Sequence, residues 1–266
     1  MSECERCRGT GFESLVVKGA DGTDVESVRV CACRRSQGEG ASAARVLESL
    51  RIPPRYQHCL LSEFKPGGEA VKTAALMKVM KYCNEFPSRG SKSANDRGLG
   101  LLFTGGNGTG KTHLAVAALR ELAMAHGVVG QFWDYHELLR EIRNSYDPST
   151  SFTEYEVLEP IISMPVLLLD DLGAWKMTDW MNDTLFYVLN KRYLATRPTL
   201  ITTNYPDREP TARELADADT TVRREYLIDR IGLRLRSRLQ EACAVIRLEG
   251  QDVRQAFQAA NQSLLV

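Results

Sequence analysis

The chain has 266 residues, 34 basic and 34 acidic, so its formal net charge at pH 7 is zero. Hydrophobic residues make up 43% and charged ones 26%, an ordinary globular composition, and no apolar run approaches the roughly 18 residues that cross a bilayer. Balanced charge excludes a polyanion-binding surface spread over the whole molecule, so any nucleic-acid contact must be local. The start, MSECERCRGT, shows no export signal, and the expected location is the cytoplasm.

In chain order, Cys4-x₂-Cys7 and Cys31-x-Cys33 come first and bracket 23 residues. Two thiolate knuckles can surround one Zn²⁺ tetrahedrally, and Gly9 and Gly11 let the first knuckle turn. A segment of this length has too little core to fold without the metal, so residues 1–35 are expected to be a structural zinc module. SQGEGASAA (36–44) reads as a flexible linker, and a helical pattern follows at 43–50. Pro53 and Pro54 end it. Residues 69–86 repeat apolar side chains at helical spacing, and SRGSKSANDRG is a loop. From residue 99 the pattern predicts strands at 99–104, 129–133, 165–170, 199–203 and 244–248. Helices are expected near 111–126, 135–146, 153–163, 179–196, 223–241 and 251–260. Strands alternating with helices imply an α/β fold with a mostly parallel sheet. Cys59, Cys83 and Cys243 lie in apolar or helical settings and are read as buried thiols. His58 beside Cys59 is not read as a metal ligand.

GGNGTGKT fits G-x-x-x-x-G-K-[ST] at Gly105, Gly110, Lys111 and Thr112. The run LGLLFT before it is a buried strand and HLAVAALREL after it a helix, the setting this pattern requires. Backbone N–H groups of Asn107, Gly108 and Thr109 can turn toward phosphate oxygens, and the helix N-terminus adds favourable partial charge. Lys111 would reach the β- and γ-phosphates of ATP and Thr112 would hold Mg²⁺. MPVLLLDDLG then supplies an apolar strand ending in two acids. Asp170 is the expected Mg²⁺ partner, and Asp171 stands where a base could orient water. A further strand, ITTNYP, places Asn204 at the carboxyl edge of the sheet, where it could hold water or the γ-phosphate.

These elements, in this order, resemble an AAA+ ATPase. THLA after the lysine, DDLG, TTNYP, RIGLRLRSRL and the lead-in IPPRYQHCLLSEF together look like the bacterial helicase-loader family (DnaC/DnaI-like) and the related IstB-like transposition helpers. The resemblance covers roughly residues 50–255. It implies domains at 1–35 (zinc module), 36–50 (linker and helix), 51–255 (ATPase) and 256–266 (tail). It also implies that Arg238, in the S-R-L unit, reaches the ATP of a neighbouring subunit. Arg234 stands one turn earlier on the same helix face, and Arg254 is a candidate second sensor in cis. Initiator-type relatives carry an added helical element at 135–163 that lines a DNA channel, which makes Arg140 and Arg143 candidate phosphate contacts.

Two departures from the family pattern matter. Asp171 stands where Glu is frequent, one methylene shorter, so slow hydrolysis is expected. Only 12 residues follow Arg254, too few for a helical lid. The resemblance thus implies an ATPase that self-associates on single-stranded DNA and delivers a hexameric replicative helicase, with ATP, Mg²⁺ and structural Zn²⁺ as cofactors and no membrane partner. Two other readings are a helper of a DNA transposase, and a zinc-module adaptor that uses ATP as a slow switch.

Overall fold

A computed structural model of the chain describes residues 12–18, 24–30, 39–89, 100–144, 154–175, 177–209, 225–250 and 252. They fall in two units, Met1–Ser49 and Leu50–Val266, each described by itself.

In the first unit, two runs rich in β-branched residues pair as an antiparallel hairpin, β1 (Phe12–Lys18) and β2 (Asp24–Val30), with Leu15 opposite Ser27. These strands are not among the expected elements, although Asp21-Gly22 between such runs is a hairpin signal. The hairpin occupies the interval between the two cysteine pairs. Cys4, Cys7, Cys31 and Cys33 themselves lie outside the described residues. Helix α1 (Glu39–Ser49) starts inside the stretch expected to be linker. Ala41, Ala43 and Ala44 have the highest helix propensity and outweigh the single Gly40.

The second unit begins with a 3₁₀ turn at Pro54–Tyr56, followed by α2 (Ala70–Arg89). The remaining elements alternate: β3 (Gly100–Gly105), α3 (Lys111–His126), β4 (Gly130–Asp134), α4 (Tyr135–Asn144), α5 (Glu154–Ser163), β5 (Val166–Asp170), α6 (Asp179–Leu194), β6 (Thr199–Thr203), α7 (Leu227–Ala242) and β7 (Cys243–Leu248). All five expected strands are present, each within one residue of its expected bounds. The helix expected at 251–260 lies outside the described residues, apart from Asp252. None of the described helices is long and apolar enough to cross a membrane.

The sheet runs β4-β5-β6-β3-β7. Every pairing is parallel, with Leu101 beside Leu200 and Ala244, and Leu168 beside Phe132 and Leu200. Strand β5, VLLLD, is buried at every residue, as a central strand covered on both faces must be. Gly100 has no room for a side chain, since a Cβ there would stand 2.1 Å from the Thr199 carbonyl oxygen. Helix α3 is buried almost continuously from Leu114 to Leu119, and α2 packs against it.

The chain leaving β3 crosses to β4 on one side, and the chain leaving β6 crosses to β7 on the other. The connections leaving these two neighbouring strands therefore run in opposite directions, and the crevice beyond their carboxyl ends is where such sheets bind ligands. Cys59, Cys83 and Cys243 are buried thiols, as expected. Burial pushes Cys59 up to about 11 and Cys243 up to about 12.

At the opposite edge of the sheet, Arg192 is fully buried. Its guanidinium donates to Thr199 Oγ1 at 3.0 Å and to the carbonyls of Ile161, Ile162, Met164 and Pro198 at 2.6–3.3 Å. Burial, with the Arg197 charge adding to it, draws its pKa down to about 9, which still leaves a cation at neutral pH. Among the described residues no carboxylate pairs with it. Instead it fastens the end of α5 and the turn entering β5 to the turn entering β6.

Candidate nucleotide site

The loop between β3 and α3 takes its shape from three glycines. Gly105, Gly108 and Gly110 have φ of 151°, 69° and 98°, a region that side-chain-bearing residues avoid. Gly110 is the N-cap of α3. Space forbids a side chain as well: a Cβ on Gly105 would meet the Leu248 carbonyl oxygen at 1.9 Å, and one on Gly110 would meet Phe64 at 2.6 Å. Within the loop Thr109 Oγ1 donates to Gly106 O at 2.9 Å. Lys111 Nζ donates to the same carbonyl at 2.6 Å. Its ammonium is therefore already turned back over the loop, where an anion in the cradle would compete for it. Lys111 is itself buried.

Thr112 Oγ1 donates to Asp170 Oδ1 at 3.0 Å, joining the start of α3 to the end of β5. Thr202 Oγ1 donates to the same oxygen at 2.5 Å and accepts from Asp171 N at 2.9 Å. Thr202 is absent from the sequence reading, because its part depends on β5 and β6 lying side by side. Burial lifts the Asp170 carboxyl above its usual range. The hydrogen bonds from Thr202 and Thr112 oppose that shift, while the charges of Asp171 and Asp134 add to it. Asp134 is beside Asp170 in the register of β4 and β5, and it caps α4 by accepting from Glu137 N at 3.0 Å. A threonine hydroxyl and a carboxylate at this distance are a hard oxygen pair suited to Mg²⁺.

Asp171 adopts φ 61°, rare for a residue with a side chain. Asn204 Nδ2 donates to Asp171 Oδ1 at 2.6 Å, so the structure joins the second acid and the strand-end asparagine directly. Beside the loop lies a cleft of about 450 Å³ lined by Gly105, Gly106, Thr109, Asp207, Arg208 and Arg247, among others. Arg208 and Arg247 are further cations near the cradle that sequence reasoning missed. No spacing rule ties them to it.

The arginine-rich helix is not a solvated basic face. Gly232, with φ 74° and ψ 164°, breaks α7 into two helical pieces where one was expected. Before the break, Arg230 donates to Gly173 O at 2.7 Å and Ala174 O at 3.1 Å, holding the loop that follows the two acids. After it, Arg236 Nε pairs with buried Asp207 at 2.6 Å. Arg234 lies 3.7 Å over the Phe186 ring. Arg238 stacks 4.5 Å over Tyr193 and pairs with Glu241 at 2.7 Å. It shares a small pocket with Thr199 and Cys243, the first residues of β6 and β7. The cradle is at the far end of these parallel strands, about 15 Å away along the sheet. Arg254 lies outside the described residues.

Arg140 and Arg143 are exposed on α4. On the same helix His136 stacks on Trp175 with ring centroids 4.7 Å apart, and Trp175 is 56% exposed. Trp133, by contrast, is core, as expected.

Comparison with known proteins agrees with this constellation. Residues 92–256 match the family described as IstB-like ATP binding protein. The chain is 28% identical over 259 residues to the replicative helicase loader DnaI of Bacillus subtilis (strain 168), a match covering 95% of this chain and 77% of that protein. It is 23% identical over 195 residues to the replicative helicase loader DnaC of Escherichia coli (strain K12), covering 73% of each. Among solved structures it is similar to a crystal structure of the DnaC helicase loader, with a TM-score of 0.58, 28% identity, and coverage of 74% of this chain and 99% of that one. The family match runs through the phosphate loop, both acids, Asn204 and Arg238, and the chain belongs to the IstB-like ATP binding proteins, AAA+ P-loop ATPases related to the bacterial helicase loaders.

Proposed function

We propose that this ATPase assembles on single-stranded DNA and delivers a hexameric replicative helicase. One observation carries the choice of client: the similarity to a replicative helicase loader spans 95% of the chain and so includes the amino-terminal unit as well as the ATPase.

In this reading Gly105, Asn107, Gly108, Thr109 and Gly110 cradle the ATP phosphates and Lys111 leaves Gly106 O to bind them. Thr112 and Asp170 would hold Mg²⁺, which supplies positive charge to the phosphate oxygens. Asp171 and Asn204 separate to place water, and Arg254 senses nucleotide from within the subunit. Arg238 acts on a neighbour's ATP. Its distance from its own cradle supports that role, as does its buried Nε, which has no hydrogen-bond partner among the described residues. The short side chain of Asp171 favours slow turnover. Cys4, Cys7, Cys31 and Cys33 hold a structural Zn²⁺, with the hairpin β1–β2 between the two knuckles. Residues 1–35 then form a zinc module that grips the client, and 51–255 form the ATPase. Arg140 and Arg143 contact DNA phosphates beside the stacked pair His136 and Trp175.

The test is a pull-down of the host's replicative helicase with and without ATP. Retention that depends on the first 35 residues is expected. No retention in either state sinks the proposal. Capture of an integrase-type recombinase instead would select the transposase-helper reading. On the DNA side, Arg140→Ala/Arg143→Ala should flatten the salt dependence of single-strand binding by about 1.4 in log–log slope. An unchanged slope removes these two contacts.

A further inference from the structure

The fold gathers three metal-ligating side chains that the sequence keeps apart. His58, Cys59 and His113 each offer a ligand atom, and these atoms all lie within 4.8 Å of one another. His58 and Cys59 follow the 3₁₀ turn, and His113 stands in the first turn of α3, one residue past Thr112.

The grouping is held from several sides. Cys59 N donates to Tyr56 O at 3.0 Å. Helix α3 grips the same turn twice: His113 Nε2 meets Leu60 O at 2.9 Å, and Arg120 donates to Gln57 O. A carbonyl can only accept, so Nε2 of His113 carries the proton and Nδ1 keeps its lone pair. A backbone carbonyl fixing the tautomer in this way is the usual support of a metal-binding histidine. Phe64, edge-on to His113 at 5.5 Å, adds an apolar wall. Cys59 Sγ stands 4.0 Å from His58 Nε2. Tetrahedral zinc, with bonds of about 2.3 Å to sulfur and 2.0–2.1 Å to nitrogen, needs that separation to be roughly 3.6 Å. A shift of a few tenths of an ångström therefore closes this pair, and the other two pairs, already within 4.8 Å, must draw in with it.

We propose that His58, Cys59 and His113 bind one divalent cation of the Zn²⁺ class, which fastens the lead-in turn to the helix that begins with the phosphate-loop lysine. Cys59 binds as thiolate and its proton passes to solvent. The imidazoles bind neutral, and water takes the fourth position. Sulfur and nitrogen donors do not suit Mg²⁺, so this site does not compete for the cation that accompanies ATP.

The experiment counts zinc on the full chain after chelation, by titration with Zn²⁺ and then with Co²⁺. Cys31→Ser/Cys33→Ser removes the proposed amino-terminal module, so the zinc it still binds reports on this cluster. One equivalent is expected there, against two for the native chain. Adding His58→Ala, an exposed position whose loss does not endanger the fold, should weaken the remaining equivalent by ~100-fold, the upper range for loss of even an outer support. Cys59→Ser should abolish the thiolate-to-cobalt absorption, and His58→Ala should move its appearance to correspondingly higher Co²⁺. If the Cys31→Ser/Cys33→Ser chain binds no zinc, or binds it as tightly after His58→Ala, the cluster is not a metal site. If the native chain also takes up only one equivalent and His58→Ala removes it, the cluster stands and the amino-terminal module fails.

Discussion

The two edges of the central sheet both bury charge and use it in opposite ways. At the carboxyl edge, Lys111 holds one carbonyl of a glycine loop, and Asp170 accepts from two threonine hydroxyls. At the amino edge, Arg192 is tied to four backbone carbonyls and one hydroxyl that belong to the scaffold. Hydroxyls and a flexible loop can exchange their partners for a ligand. Carbonyls at the entrances of two buried strands cannot. Burial of charge alone thus does not mark a functional site, and the replaceability of its partners does. Arg238 complicates the division, since it lies at the amino edge yet is proposed to serve a neighbouring molecule.

The sharpest break of this contrast should come from Lys111→Ala. Mg-ATP binding or hydrolysis should vanish while nucleotide-free thermal stability changes little, because the lost bond was made to a loop. Titration calorimetry and a melting curve together check this, and a folded variant with unchanged ATP affinity and turnover would remove the phosphate-loop assignment.

Arg238→Ala should bind ATP nearly normally and hydrolyse it ~10³-fold more slowly, the lower end for an arginine supplied in trans. Mixed with Lys111→Ala subunits, it should regain activity above the sum of the two. No recovery under conditions where native subunits associate would return Arg238 to the scaffold.

Arg192→Met should leave the ATP site chemically intact and cost about 3–5 kcal/mol of stability, since it strands several buried carbonyls at once. Urea unfolding measures it; a loss below about 1 kcal/mol would mean that water replaces the guanidinium.

The smallest effect belongs to Asp134→Asn. Asparagine still caps α4, but removing one negative charge should lower the raised Asp170 pKa. For a carboxyl whose folded pKa is raised, the cost of ionisation is complete above that pKa and relieved as pH falls through it. The low-pH limb of Mg-ATP binding should therefore move to lower pH in the variant, and a limb that stays in place would show that burial alone sets the shift.

The strand–loop–helix, the acid-ended strand, the alternation of elements and hence the parallel sheet are legible in the residues alone. Each of these is local: glycine spacing, apolar runs and helical periodicity act within about twenty residues. Tertiary structure decided the rest. Thr202 and Asp134 became partners of Asp170 through strand register, and Asn204 met Asp171 across neighbouring strand ends. The arginine cluster of α7 resolved into separate ties because Gly232 breaks the helix and turns its two halves to different loops. His113 joined His58 and Cys59 only because α3 packs against the lead-in turn. Contacts between residues far apart in the chain follow from how elements pack, and no local pattern of residue types encodes that.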